Sequence, residues 1–299
     1  MSIIGGIDMK EVEKTFVYFV KERSRIWRKK DIERKPGPWT DDKILQNNRF
    51  CNVCREDDRT SRYLINAWYK VHYNEIDSLK IAVAVARTIN LPSVLCMVGY
   101  PYLMRINDTQ FTVHHEWLES LRKVFQKERQ NGEPIKSSAY IVYTNRKPLF
   151  EFLDQDLIPS CRQVVLKGTF RDTWREYCNI EGVSSFMAGQ FCKDLTYSTD
   201  LAKNWSDRHN FAAPGPGSKK AVRCMYGIKI GSLADNSLDL FCKAVMEARE
   251  LLLDNGFDKE FPELAGRMDL MDYQNCLCEF YKYWALLNGK VKRTRIYTW

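Results

Sequence analysis

The chain has 299 residues, of which 44% are hydrophobic and 28% charged, and its formal net charge is +8. This composition is typical of a globular protein with a sizeable core, built as one large domain or two small ones. No apolar run reaches membrane-spanning length, and the start MSIIGGIDMKEVEK lacks a basic segment followed by a hydrophobic one. We therefore expect neither a membrane span nor a signal peptide.

The basic surplus occurs together with 15 Tyr, 15 Phe and 8 Trp residues. Such a combination suits nucleic acid, because cations neutralise phosphates and aromatic rings stack on bases. A soluble basic protein without such a partner can carry the same surplus, so charge alone leaves both interpretations open. Ten cysteines without an export signal predict reduced thiols in the cytoplasm of a bacterium or of an infected host.

The first predicted element is a helix over KEVEKTFVYFVKERSRIWRKK. Its apolar stripe at helical spacing also contains one cation, and the stripe consists of Val12, Phe16, Phe19, Arg23 and Ile26. A buried unpaired charge is costly, so we expect Arg23 to pair with a carboxylate or to reach an anion.

The later elements are also mainly helical. The pattern predicts helices at about 60–90 with a break near 72–74, and at about 113–130, 147–157, 170–178, 185–195, 236–254 and 269–287. The segment SAYIVYTN is the strand candidate, and 197–222 is the longest irregular stretch. The predicted fold class is mainly α: one helical domain over residues 1–299, divisible into two lobes at about 1–165 and 166–299 around a cleft.

A CxxC motif, CNVC, lies at Cys51 and Cys54 and raises the question of a metal or redox site. The other close pair, Cys276 and Cys278, has CxC spacing and is far along the chain, and histidine is scarce, so we expect no zinc site. A thioredoxin-type role lacks its strand–helix context. The cysteines are therefore interpreted as packing residues that alternate with polar ones.

Four polar residues around CNVC follow a three-three-one spacing and would share one face if the segment were helical: Arg49, Asn52, Arg55 and Glu56. Another polar row lies beside the apolar stripe of the last helix, and it comprises Asp272, Cys276, Glu279 and Tyr283. Glu279 and Lys282 are spaced for a helix ion pair.

Several catalytic motifs are incomplete. HHE at 114–116 has no downstream PCxxC to complete a deaminase metal site, GPGSKK lacks the GxxxxGK[ST] spacing of a phosphate loop, and GxSxG is missing. We therefore expect no metal and no nucleotide cofactor of these kinds.

The segment GTFRDTWREYCNIEGVSSFMAGQFCKDL looks like a helix-hairpin-helix, with Gly182 in the turn and Ser184 before the second helix. Backbone N–H groups at such a turn bind DNA phosphates without reading sequence. Asp194 and Asp200 follow, where helix-hairpin-helix glycosylases carry an aspartate that stabilises the cationic sugar. The match is partial, because Ser184 replaces the second glycine of the usual pattern. An ordinary αα-hairpin ended by Gly182 is the alternative.

A second glycine-containing segment, APGPGSKK, has the composition of an anion-binding turn. Its backbone N–H groups and cations are supplied by Gly215, Gly217, Ser218 and Lys219. A surface turn with solvated lysines explains the same residues equally well.

Five segments in this order carry a resemblance that extends from about residue 12 to 285: ERSRIWRKK, PWTDDKILQNNRFCNVCREDDR, IEGVSSFMAGQFCKDLTY, GPGS and QNCLCEFYKY. They resemble the α-glutamyl/putrescinyl thymine pyrophosphorylase-like proteins, which include the helical-domain family named after the 5-hydroxymethyluracil DNA kinases. The resemblance implies a DNA-glycosylase-like helical fold that acts on hypermodified pyrimidines in phage DNA. The kinase activity in the family name is not carried over, because no phosphate loop is present.

Three functions remain open. The first is a monofunctional DNA glycosylase that flips out a hypermodified pyrimidine, such as glucosylated hydroxymethylcytosine or a 5-hydroxymethyluracil derivative, and removes it, in anti-phage defence. The second is a transferase that joins an amino acid or a polyamine to 5-pyrophosphomethyl-uracil and displaces pyrophosphate. The third is a non-catalytic DNA-binding module. All three predict double-stranded DNA as the partner, and we expect no cofactor.

The candidate catalytic residues, chiefly carboxylates, are Asp42, Asn52, Asp58, Asp194 and Asp200. The candidate contacts to substrate or DNA are Arg23, Trp39, Asp41, Arg49, Phe50, Arg55, Glu56, Gly182, Ser184, Gly215, Gly217, Ser218 and Lys219. In this interpretation Trp39 and Phe50 stack on the base.

Overall fold

The computed structural model describes residues 3–4, 7–105, 111–140, 143–144 and 146–291. Most of these residues are helical, which confirms the predicted mainly α class. The α-helices are α1 (Met9–Trp27), α2 (Lys43–Asn47), α3 (Arg59–Leu64), α4 (Ile76–Ile89), α5 (Pro92–Val98), α6 (His115–Gln130), α7 (Leu149–Glu151), α8 (Ile158–Gln163), α9 (Phe170–Cys178), α10 (Ser185–Leu195), α11 (Asp200–Lys203), α12 (Pro216–Tyr226), α13 (Asp235–Asp254), α14 (Phe257–Glu260), α15 (Pro262–Ala265) and α16 (Leu270–Leu287).

Shorter helical and extended pieces complete the described chain. Three π-helical turns, Arg28–Ile32, Ile65–Tyr69 and Phe152–Leu157, continue neighbouring α-helices, and Arg55–Asp57 forms a 3-10 turn. Two antiparallel pairs of short strands are present, β1 (Ile3–Ile4) with β2 (Ile7–Asp8) and β3 (Leu103–Arg105) with β4 (Phe111–Val113). Among the helices described, none is both long and apolar enough to cross a bilayer.

The predicted helices agree closely with the observed ones, including the break near 72–74, where residues 70–74 form a turn. The irregular stretch predicted at 197–222 is wrong in part, because α11 lies within it and α12 begins within it. The strand predicted at SAYIVYTN is wrong for its described residues: 138–140 and 143–144 form no strand, while 141, 142 and 145 lie outside the described residues. β-propensity is realised only where a partner strand and a packed face are available, and the described segment has neither a ladder partner nor a sheet.

The chain divides into two compact units. The first unit consists of Met1–Asp58 with His209–Trp299, and the second unit consists of Arg59–Arg208. These bounds differ from the lobes expected at about 1–165 and 166–299, because the amino-terminal helix packs against the carboxy-terminal helices. A division of the chain at one sequence position cannot represent such a pairing of its two ends.

The first unit is built around α1 and α16, which pack against each other and against α12 and α13. The apolar stripe predicted for α1 is buried, with Phe16 fully enclosed and meeting Phe280 of α16 edge-on at 5.3 Å between ring centroids. Burial of such large side chains contributes about 1.5–3 kcal/mol each and holds the two ends of the chain together.

The second unit is centred on α4, in which every residue from 81 to 89 is buried. One of them is Arg87, whose guanidinium donates to Asp194 of α10 from Nε to Oδ2 at 2.7 Å and from Nη2 to Oδ1 at 2.6 Å. The Tyr69 hydroxyl donates to the same carboxylate at 2.5 Å. Burial alone lowers the pKa of Arg87, but the adjacent Asp194 carboxylate raises it above its usual value. This closed network joins α4 to α10 and stabilises the interior.

We predict that Asp194→Asn lowers the free energy of unfolding by about 3–5 kcal/mol, because it leaves the Arg87 charge buried without its counter-ion. Urea denaturation measures the loss. Asp200→Asn is the matched control, since Asp200 is exposed and its replacement is expected to change stability little. Equal stability of the two variants would show that the network is not a structural ion pair.

Candidate functional site

The segment 51–55, which contains CNVC, is held against α16 through its backbone. Three polar side chains of one face of α16 bind backbone groups of this segment: Asp272, Asn275 and Glu279. The backbone N–H of Cys51 donates to Glu279 Oε2 at 2.8 Å, and that of Arg55 donates to Asp272 Oδ1 at 2.8 Å. Asn275 Nδ2 donates to the carbonyl oxygen of Asn52 at 3.2 Å. We call these three contacts the α16 ladder.

Arg23 of α1 binds the same segment. Its Nη2 donates to the carbonyl oxygens of Phe50 and Cys51 and to Asn52 Oδ1 at 3.3–3.4 Å. Arg23 is only 6% exposed. In these contacts Arg23 binds carbonyl and amide oxygens of the protein instead of the expected carboxylate or external anion. It therefore links α1 to residues 50–52.

The helical face expected for Arg49, Asn52, Arg55 and Glu56 is wrong, because residues 49–54 form no helix and only a 3-10 turn follows. The ladder supplies hydrogen bonds that a helix would otherwise provide internally. The four side chains consequently diverge. Arg49 is exposed, Arg55 is buried and donates to Asn275, and Glu56 pairs with Arg267.

Asn52 and Asp58 lie together within this segment. The backbone N–H of Asn52 donates to Asp58 Oδ1 at 2.8 Å, and Asn52 Nδ2 donates to the carbonyl oxygen of Asp57 at 2.9 Å. Asp58 Oδ2 also lies 3.4 Å from Arg55 Nε, so its charge faces a cation. This carboxylate is therefore both anchored and electrostatically compensated.

Asp42 is held differently, by uncharged donors. It caps α2, where its Oδ1 accepts from the backbone N–H of Ile44 at 2.8 Å and of Leu45 at 3.0 Å. Its Oδ2 accepts from the hydroxyls of Tyr18 at 3.1 Å and Tyr283 at 2.7 Å. Burial and the Asp42 carboxylate raise the pKa of Tyr18 to about 12 and that of Tyr283 further, so both phenols stay protonated and donate.

The predicted stacking residues are less accessible than expected. Phe50 is 5% exposed and packs edge-on against Phe19 at 5.5 Å, which is a core position. Trp39 is half-buried, and its indole donates to the carbonyl oxygen of Lys35 at 2.7 Å. Asp41, beside Asp42, is exposed.

Four predicted site residues belong to the second unit. Asp194 is enclosed with Arg87, and Asp200 is exposed at the start of α11, where hydrogen bonds from Asn74 and Tyr73 hold its pKa below the usual value. Gly182 has φ +83°, and a Cβ there would overlap the Tyr143 carbonyl and the Phe152 ring. Ser184 caps α10. Local packing thus accounts for the hairpin glycine.

The GPGS segment is an interior helix start in the first unit. Ser218 is fully buried, accepts from the backbone N–H of Gly215 at 3.1 Å, and receives a hydrogen bond from Gln274 of α16 at 2.8 Å. A Cβ at Gly217 would overlap Cys278 Sγ, so glycine permits the close approach of α12 to α16. Lys219 is half-exposed. This geometry favours packing over an exposed anion-binding turn.

The two cysteine pairs, distant in sequence, meet in space. Cys276 Sγ lies 3.8 Å from the carbonyl oxygen of Val53, within CNVC. None of the ten cysteines forms a disulfide, and no group of three or more His, Cys, Asp or Glu side chains in the described chain is arranged to hold a metal ion. Burial, with the carboxylates of Asp58 and Glu279, raises the pKa of Cys51 above its usual range. Thiolate chemistry is therefore disfavoured there.

Sequence reasoning found part of the supporting residues. The polar row on the last helix was visible, and the predicted Glu279–Lys282 ion pair is confirmed at 2.7 Å. Asn275 and Tyr18 were missed. Two sequence features could have indicated them: Asn275 is an amide on a largely apolar helix, and Tyr18 lies at the edge of the apolar stripe of α1.

The fold and site define a mainly helical protein whose first unit presents a half-buried carboxylate beside a segment held by polar side chains. The family model described as the helical domain of 5-hmdU DNA kinase matches residues 10–293, so the chain belongs to this family.

A curated relative, a 5-hmdU DNA kinase of Bacillus phage SP10, is 24% identical over 296 residues, covering 89% of this chain. The chain spans 44% of that relative's length, less than half. No solved structure matches. The wider likeness to pyrophosphorylase-like proteins and to a glycosylase fold stays a prediction.

We predict that Glu279→Ala lowers the free energy of unfolding by about 1–3 kcal/mol, because the Cys51 N–H loses its acceptor in a largely buried setting. Glu279→Gln keeps an acceptor and is expected to lose less. Lys282→Ala is the control, since it removes the partly exposed ion pair with Glu279, worth under about 1 kcal/mol, together with a 3.4 Å hydrogen bond to the Arg49 carbonyl oxygen and a contact with the Phe50 ring, but leaves the acceptor of the Cys51 N–H in place. Urea denaturation compares the three variants. Equal losses for Ala and Gln would contradict the proposed backbone contact.

We also predict that brief iodoacetamide treatment of the native protein labels Cys96 faster than Cys51 or Cys54, because Cys96 is exposed and Cys54 is buried. Peptide mass mapping measures the order, and urea-unfolded protein, in which all ten thiols react, is the control. A fast reaction at Cys51, or a Cys51–Cys54 disulfide under mild oxidation, would revive the redox interpretation of CNVC.

Proposed function

We propose that this protein acts on DNA that contains a modified pyrimidine, as a DNA glycosylase that removes the modified base and leaves an abasic site. Family membership supports the substrate class, since the phage relative is named for a modified deoxyuridine in DNA. Removal of hypermodified bases from phage DNA would serve anti-phage defence.

The observation that carries the proposal is the environment of Asp42. Asp194 is neutralised by Arg87 and enclosed, and Asp58 faces Arg55. The donors to Asp42 are all uncharged: two backbone N–H groups and two tyrosine hydroxyls. They fix the carboxylate without cancelling its charge, and its partial exposure leaves it accessible.

A carboxylate of this kind suits N-glycosidic bond cleavage. As the bond between C1′ and the base nitrogen breaks, its electron pair leaves with the base and the sugar becomes cationic. A fixed negative charge stabilises that cation because its position needs no reorganisation during the reaction. Water then adds to C1′, and the proton that it loses balances the negative charge of the departed base, which completes hydrolysis. The target nucleotide must first leave the stack, at a cost of a few kcal/mol.

The other predicted residues differ in how exposed their side chains are, and this difference decides the role proposed for each. Trp39, Asp41 and Arg49 remain at least partly exposed and are proposed to contact substrate. Arg23, Asn52 and Arg55 hold the segment itself and are proposed to position it.

A transferase remains the second candidate, because an uncompensated carboxylate also accepts a proton from an attacking amine. The name of the phage relative indicates phosphate transfer, but the chain covers 44% of that protein and contains no GxxxxGK[ST] motif. Direct product analysis separates the three activities.

The test incubates the purified protein with duplexes that contain thymine, 5-hydroxymethyluracil, glucosylated 5-hydroxymethylcytosine or 5-pyrophosphomethyl-uracil. We expect alkali-sensitive abasic sites in at least one modified duplex and none in the thymine duplex. Pyrophosphate release that requires an amine, with the base retained, would instead establish the transferase, and ATP-dependent phosphorylation of the hydroxymethyl group would establish a kinase.

Asp42→Asn is expected to reduce base release by roughly a hundredfold or more while the protein stays folded, because the substitution keeps the shape but removes the charge. Asp258→Asn, at an exposed carboxylate of the same unit, is the matched control and is expected to retain full activity. Unchanged base release in Asp42→Asn would show that another residue stabilises the sugar cation.

A further inference from the structure

A dense group of cations follows α1 in the first unit. Residues 28–35 contain five cationic side chains and two carboxylates: Arg28, Lys29, Lys30, Arg34 and Lys35, with Asp31 and Glu33. All of these side chains are exposed or half-buried. The surplus is therefore a surface property and not part of the core.

Three cations in the last turns of α1 and directly after it are compensated by carboxylates. Lys21 and Arg25 pair with Glu260 at 3.0 and 2.7 Å, and Arg28 pairs with Glu263 at 2.8 Å. These three cations are therefore held in ion pairs with carboxylates of α14 and α15.

The cations beyond Arg28 have different surroundings. Lys29 Nζ donates to the uncharged carbonyl oxygen of Trp39 at 2.9 Å, and its charge also helps to lower the pKa of the nearby Glu33 carboxylate. Arg34 is exposed, and no carboxylate of the described residues forms an ion pair with it. Lys35 pairs with Glu33 at 2.6 Å, with 61% of its side chain exposed.

Trp39 joins this basic segment to the candidate site. Its indole N–H donates to the Lys35 carbonyl oxygen at 2.7 Å, and Lys30 Nζ lies 5.0 Å from the centroid of its ring. Thr40 then donates to Glu22 Oε1 of α1 at 2.6 Å, two residues before Asp42. The cations and Asp42 are consequently carried by adjoining parts of one anchored segment.

We propose that residues 29–35 form the surface that binds the phosphate backbone of the duplex next to the nucleotide acted on at Asp42. The inference rests on the proposed function for its substrate and adds the place where that substrate is held. A duplex carries about one negative charge per 1.7 Å of its axis, so several closely spaced cations meet phosphates at once and release their counter-ions. Lysine and arginine contacts to phosphate position the protein without reading sequence, as an enzyme specific for a modification requires.

The test measures binding of a fluorescent duplex by anisotropy from about 50 to 200 mM NaCl, where the logarithm of the affinity falls linearly with the logarithm of the salt concentration. Lys30→Gln and Arg34→Gln keep a polar side chain at each position and remove its charge. We expect each to reduce the magnitude of the slope by roughly 1, and the double variant by roughly 2. Lys243→Gln is the matched control, since this exposed lysine of α13 lies beside Glu247, Glu250 and Asp254. We expect the salt dependence of DNA binding by this variant to have the same slope as that of the unsubstituted protein.

The result separates this inference from the proposed function. If the double variant has the same slope as the unsubstituted protein, the proposal that residues 29–35 bind phosphate is overturned, even if modified bases are released. A reduced slope in the double variant, without base release from any duplex, supports the surface and overturns the glycosylase. An equal fall in slope in Lys243→Gln would show a non-specific charge effect and also overturns the surface.

Discussion

The backbone of residues 51–54 forms no helix or strand, and the structure depends on how its polar groups and the N–H of Arg55 find hydrogen-bond partners. Backbone N–H and C=O groups taken out of water cost free energy when they have no partner. Side chains of one face of α16 supply these partners, with Arg23 assisting from α1. The same face continues one turn further to Tyr283, which binds Asp42. One helix face therefore positions both the CNVC segment and the candidate carboxylate.

The aspartates show how environment separates groups of identical chemistry. Asp194 is bound bidentately by Arg87 inside the second unit, and its charge stabilises the fold. Asp58 faces Arg55, so its charge is largely compensated within the segment. Asp42 accepts hydrogen bonds only from neutral donors, so none of them compensates its charge. Electrostatic compensation distinguishes the three, and it is a property of neighbours and not of position in the chain.

Three of the segments that carry the family resemblance contact one another in the first unit. RFCNVCRED and QNCLCEFYKY, distant in sequence, meet in the α16 ladder through the contacts of Glu279 and Asn275. GPGS packs on the same helix, where Gly217 meets Cys278. The cysteines fill the interior between these segments, and the polar residues that alternate with them make the hydrogen bonds. A motif that suggests metal or redox chemistry thus has a packing explanation.

The sequence by itself determined the helical class and most helix positions, because the apolar stripe of α1 and the polar row on α16 are local patterns with helical spacing. It also indicated the Glu279–Lys282 pair, which needs only a fixed spacing along one helix. The tertiary structure alone decided that the two ends of the chain form one unit and that residues 49–54 are not helical. It also decided that Asp42 and not Asp194 keeps an uncompensated charge. The first outcome depends on contacts between residues more than two hundred positions apart, and the last depends on which side chains pack beside each carboxylate. No local pattern encodes either of them.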